Sequence, residues 1–215
     1  MKNSLSPRAL ITLSALATGV LASAASADAL FQDDFENTLG KWAGKDGGTH
    51  HGMLVIDPFD HSNTVLTFNR LNSAGDMFSR EAMELEIGTT YVLSFDYLGL
   101  ATGAARPGDH GAYVGFSEDM PARHVWKWAT GTNSGAEDVL IDNNRWNSYE
   151  FEFTAADLGL NGTVHLMIED FAGSDGAPED VFFDNFEIRP ATIPAPSTAA
   201  LLGLTGLTVA RRRRA

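Results

Sequence analysis

Apolar and polar residues alternate along much of the stretch 28–190. Tyr91, Leu93, Phe95 and Tyr97 are interleaved with Val92, Ser94 and Asp96, and Tyr149, Phe151 and Phe153 with Glu150 and Glu152. Val164, Leu166 and Ile168 alternate with His165, Met167 and Glu169, and shorter runs occur at 53–56, 65–68, 83–87 and 113–116. A period of two places successive side chains on opposite faces of a strand, whereas no stretch sustains the i, i+3, i+4, i+7 pattern of an amphipathic helix. Glycine, proline, asparagine and aspartate separate the runs, as expected of turns. Some eight or nine strands in this span predict an all-β, antiparallel β-sandwich of two sheets packed face to face. Residues 155–158, Ala-Ala-Asp-Leu, predict a single helical turn between strands.

The two ends follow other rules. In residues 1–27, Lys2 and Arg8 precede a short apolar stretch and the small residues Ala25-Ser26-Ala27, the order of a cleavable export signal. Residues 191–215 begin with a proline motif, Pro194-Ala195-Pro196, continue as about 12 nearly apolar residues, and stop at Arg211, Arg212, Arg213 and Arg214. Proline cannot continue a helix backwards, so a short hydrophobic helix is expected only after Pro196. At 1.5 Å per residue it reaches ~18 Å, less than the ~30 Å hydrocarbon core of a bilayer, and the arginines favour the cytoplasmic side. The sequence thus divides into an export signal (1–27), one domain (28–190) and a tail (191–215).

That tail resembles the PEP-CTERM sorting signal, with Ala195 where the family has glutamate. The resemblance implies delivery to the cell surface or exterior, an exosortase-like processing enzyme as partner, and membrane anchoring through the tail before processing. Three segments of the domain resemble the galactose-binding-like jelly roll of carbohydrate-binding modules. They are Asp33-Asp34-Phe35-Glu36-Asn37 with Gly40 and Trp42, then 85–97 around Gly88-Thr89-Thr90-Tyr91, and 181–188 around Phe183-Asp184-Asn185. The resemblance implies a jelly-roll topology and a structural calcium tying the first strand to the last through Glu36 and Asp184, with Asp34 nearby.

Charge narrows the partners. All 28 acidic residues lie within 28–190, against nine basic ones, so the domain repels nucleic-acid phosphates and anionic lipid. Neutral glycans and divalent cations suit it better. There is no cysteine, which removes disulfides and thiolate chemistry together.

Trp126 and Trp128 flank Lys127, so on a regular strand their rings share one face and could stack on a sugar ring, with His124 beside them to bind hydroxyls. Core packing fits the same spacing. Glu169, Asp170, Asp175, Glu179 and Asp180 bracket a Gly-Ser-Asp-Gly turn without the alternating spacing of a calcium loop, and read as a solvated loop. The histidines show no spacing that fixes a transition-metal site. No catalytic motif occurs in the chain, and carboxylate pairs are too common among 28 acids to mark a glycosidase. The expectation is an exported, non-catalytic polysaccharide- or glycan-binding protein. A polysaccharide-active hydrolase or lyase on the same sandwich, and a matrix protein without a defined sugar ligand, are the alternatives.

Overall fold

The computed structural model describes residues 28–71, 76–100, 111–120, 122–130, 136–170 and 178–191, all within one compact unit. The segments expected to be an export signal and a sorting tail, residues 1–27 and 192–215 with Pro194, Pro196 and Arg211, Arg212, Arg213 and Arg214, lie outside the described residues. No helix among the described residues is long and apolar enough to cross a membrane.

Thirteen strands, a 3-10 turn (Lys45–Gly47) and one α-helical turn are described: β1 (Phe31–Asp33), β2 (Trp42–Ala43), β3 (Gly52–Ile56), β4 (Thr64–Phe68), β5 (Met77–Ser79), β6 (Met83–Glu84), β7 (Tyr91–Gly99), β8 (Ala112–Ser117), β9 (His124–Ala129), β10 (Asp138–Val139), β11 (Asn147–Phe153), α1 (Ala155–Leu158), β12 (Thr163–Asp170) and β13 (Val181–Pro190). The first sheet runs β11-β7-β13-β4-β3, with β1 also on β13, and the second runs β10-β9-β8-β12-β5-β2, with β6 also on β12. Every pairing is antiparallel except β10 with β9. The expected all-β jelly-roll sandwich is the observed fold class.

Alternation explains how the layers close. Leu93, Phe95 and Tyr97 of β7, Phe183, Phe186 and Ile188 of β13, and Phe151 and Phe153 of β11 turn inward from the first sheet. Val114 and Phe116 of β8, Trp128 of β9, and Val164, Leu166 and Ile168 of β12 meet them from the second. Phe95 stands at the centre, its ring centroid 5.0 Å from both Trp128 and Phe186. Thr154 caps α1 by accepting from the Asp157 amide while Asp157 reciprocates, and Gly159 ends the turn in the left-handed region at φ 63°.

Candidate functional site

The outward face of the second sheet is built by the other half of each alternation. On β8 it receives Tyr113, Gly115 and Ser117, and on β12 His165, Met167 and Glu169. The register sets Tyr113 opposite Glu169, Gly115 opposite Met167 and Ser117 opposite His165.

On β9 the pattern breaks. Val114 pairs with Trp128 but Gly115 pairs with Trp126, so two steps on β9 match one on β8 and Lys127 is the extra residue of a β-bulge. The bulge reverses the faces. Trp128 points into the core at 2% exposure, edge-on to Phe95 and Phe151 at 5.0 and 5.2 Å. Trp126 stays half-buried on the outer face. The expectation of two indoles on one platform is therefore corrected: Trp128 is a core residue and leaves the ligand-binding set. Lys127 is itself buried, its Nζ 2.6 Å from Glu137 Oε1 and 5.1 Å from the Phe151 ring centroid, an ion pair and a cation–π contact that offset its desolvation.

Trp126 is joined on its own face by residues on either side. Tyr113 packs edge-on to it at 5.2 Å, and the exposed His124 lies 5.5 Å away on the other side. Together they form an aromatic strip along one sheet face. Gly115 makes room for it: a Cβ there would stand 2.1 Å from the Val125 carbonyl oxygen and 3.0 Å from the Trp126 ring. Glu169 adds a carboxylate beside the strip, and burial, then this negative neighbour, raises the Tyr113 phenol above its ordinary pKa. The phenol is therefore neutral at physiological pH. Sequence reasoning missed Tyr113, Gly115 and the role of Glu169, although a glycine in mid-strand is a signal of close approach.

The same face continues into a cavity of about 440 Å³ lined by His165, Asp46, Gly47, Asp119, Met120 and Ala122. Its walls are two turns, held together where the Asp46 amide donates to the Met120 carbonyl at 2.7 Å. His165 Nδ1 lies 2.5 Å from the Ser79 carbonyl, which can only accept, so the proton sits on Nδ1.

The calcium candidates occupy the opposite, outer side of the first sheet. Asp184 lies at a bulge of β13, where the register with β7 shifts between Asp184 and Glu187. It is buried, with Oδ2 accepting from Asn63 Nδ2 at 2.9 Å and Oδ1 from the Asn185 amide at 2.8 Å. Glu36 is exposed and accepts from the Thr64 amide at 3.3 Å. Asp34 accepts from the Glu36 amide at 3.3 Å, which shapes the turn rather than reaching Asp184. Glu36 and Asp184 are thus near enough to feel each other's charge. No group of three or more His, Cys, Asp or Glu is gathered as a metal shell among the described residues.

Burial, reinforced by Asp96 and Glu36 and opposed by the two hydrogen bonds, pushes the Asp184 carboxyl up to about 6. Folded protein then holds this proton more tightly than unfolded chain, so in chelator the Asp184 contribution to stability falls as pH rises from about 4 to 6. Melts of the wild type and Asp184→Asn should converge at pH 4, with the variant gaining on the wild type by pH 6.5. Parallel melting curves across that window would show that Asp184 does not titrate there.

The acidic residues read as a solvated loop are a second correction. Glu179 is exposed, but Glu169, Asp170 and Asp180 are buried, at 2%, 0% and 2% exposure, because they belong to β12 and the entry to β13. Asp175 lies outside the described residues.

No family model and no curated protein matches the chain. Solved structures similar to it include the CBM22-1 xylan-binding domain of Xyn10C from Paenibacillus barcinonensis, at 13% identity and a TM-score of 0.45 over 80% of this chain and 99% of that one. The C-terminal family 22 carbohydrate-binding module of Xyn10B from Clostridium thermocellum is similar at 14% identity and a TM-score of 0.45, over 77% of this chain and 96% of that one. The K1 cleaved adhesin domain of Lys-gingipain from Porphyromonas gingivalis W83 is similar at 16% identity and a TM-score of 0.46, over 75% and 98%. At these scores no ligand is carried across, and the reading of the site rests on its own residues.

Proposed function

We propose that this protein is an exported, non-catalytic glycan-binding protein, and that sugar rings stack on the outer face of the second sheet at Trp126. The observation that carries the reading is the Tyr113–Trp126–His124 strip, with the half-buried indole seated against a glycine and flanked by the exposed His124. An indole face suits the apolar face of a pyranose, and the exposed His124 supplies a donor or an acceptor for hydroxyls at its edge, with the buried Tyr113 holding the indole from behind. The adjoining cavity falls within the ~300–1,000 Å³ of ordinary small-molecule sites and extends the face for a longer chain. The full chain, screened against a panel of polysaccharides, should be retained by at least one neutral glycan. Retention by none would sink the reading.

Calcium at Glu36 and Asp184 belongs to the same proposal. Carboxylate and carbonyl oxygens are the donors that hard cation takes, and Asn63 already bonds Asp184 beside them. Bound there, calcium would tie β13 to the segment after β1.

The tail is proposed as the delivery device, on the order of proline motif, apolar run and arginine cluster. Replacing Arg211, Arg212, Arg213 and Arg214 with neutral residues should leave export intact and disturb processing or membrane retention. An unchanged mature mass and location after that replacement would remove the exosortase-type reading.

A further inference from the structure

Seven aspartates are buried among the described residues, and most are visibly satisfied. Asp33 accepts from the Trp42 indole at 2.6 Å, Asp57 from the Phe59 amide and the Trp146 indole at 2.7 and 3.0 Å, and Asp142 from the Tyr97 hydroxyl at 2.5 Å. Asp76 accepts from the His51 amide at 3.1 and 3.2 Å, with the His51 ring Nδ1 at 3.0 Å. Asp184 has Asn63 and Asn185, as described above. Asp170 departs from this rule. At 0% exposure, neither of its carboxylate oxygens has a hydrogen-bond partner among the described residues.

Its neighbours make the situation worse for an anion. Asp180, Asp76 and Glu169 all act on it, in that order after burial itself, and each is acidic, so the carboxyl is pushed up to about 9. Protonation alone does not resolve this, because a neutral carboxyl has an O–H to donate and no described acceptor takes it. Buried polar groups are almost always paired, and one that is not calls for a ligand.

The topology shows what such a ligand would join. Asp170 ends β12 opposite Ala112 of β8, and Asp76 immediately precedes β5, its amide donating to the Ile168 carbonyl. Both belong to the second sheet. Asp180 immediately precedes β13 of the first sheet, and its carbonyl accepts from the Leu100 amide at 2.8 Å. Asp180 and Asp76, from two other segments, thus lie within electrostatic reach of Asp170, in a chain without any cysteine to join them.

We propose that Asp170, with Asp180 and Asp76, binds a divalent cation of the oxygen-seeking kind, calcium, which staples the two sheets together at this end of the sandwich. Carboxylate oxygens are the ligands calcium takes, and its charge removes the repulsion that the cluster otherwise carries. Since the described residues are not already drawn into a shell, binding gathers them, and the gain appears as stability. This site is separate from Glu36 and Asp184, which lie on the outer side of the first sheet.

Calcium alone is the probe, applied to the full chain after exhaustive chelation. Bound calcium per chain is counted by equilibrium dialysis, and melting is followed with and without the ion, for wild type, Asp170→Asn and Asp184→Asn. Asp170→Asn should bind one calcium fewer per chain than wild type and lose the corresponding rise in Tm. In chelator it should melt at or above the wild-type temperature, because the amide removes a repelled carboxyl. Asp184→Asn should keep the Asp170 ion. Equal stoichiometry and an equal calcium-induced shift in wild type and Asp170→Asn would overturn the proposal, including the case in which only Asp184→Asn loses an ion. If Asp170→Asn does not fold, Asp180→Asn is read by the same two outcomes.

Discussion

Replacing Trp128 with alanine should lower folding stability by about 3–5 kcal/mol, the cost of emptying a large aromatic from a packed core. The indole is 2% exposed and contacts Phe95 and Phe151 edge-on, so its removal opens a void between the sheets at their most aromatic point. For a domain of this size each kcal/mol corresponds to about 2–4 °C, and Tm should fall by on the order of 10 °C. Chemical denaturation of wild type and Trp128→Ala checks it. Stability within about 0.5 kcal/mol of wild type would place the ring on the surface and contradict the bulge at Lys127.

Gly115→Ala should also destabilise the protein, by about 1–3 kcal/mol or more, for the opposite reason. Its Cβ meets a backbone oxygen, Val125 O, at 2.1 Å, and backbone cannot step aside as the end of a flexible side chain can. β9 must move away from β8, and Trp126 moves with it. The variant is therefore expected to lose glycan affinity as well as stability, which separates it from Trp128→Ala, where affinity per folded molecule should persist. A Gly115→Ala protein with wild-type Tm and wild-type affinity would show that the close approach is not there.

The long strands were legible because alternation had room to repeat. The runs beginning at Tyr91, Tyr149 and Val164 lie within β7, β11 and β12, and the turn at 155–158 is α1. Strands of two or three residues, such as β1, β2, β5 and β10, hold at most one period and are defined by their partners instead. The run at 83–87 shortens to Met83–Glu84 for the same reason, and Ile87 is 98% exposed. Trp126-Lys127-Trp128 misled because it imitates regular alternation. The bulge that separates the two indoles is a property of the register with β8, and only Gly115 hinted at it. The acids at 169, 170 and 180 looked solvated because local spacing carries no information about which carboxylates tertiary structure brings inside. Glu36 and Asp184, in contrast, are brought within electrostatic reach from 148 positions apart, although no metal shell is gathered around them among the described residues.

The most direct test of the glycan-binding face is the affinity of the full-length Trp126→Ala variant for the polysaccharide that retains the wild type, measured beside its melting temperature. Trp126 is half-buried on the outer face and packs mainly on Tyr113 and His124, so folding should survive with a small change in Tm. Loss of the stacking surface should weaken binding by about 1–3 kcal/mol, on the scale of aromatic stacking on planar rings, or roughly 5- to 150-fold in Kd. Unchanged affinity in a well-folded Trp126→Ala protein would contradict the account and move any glycan site off this face.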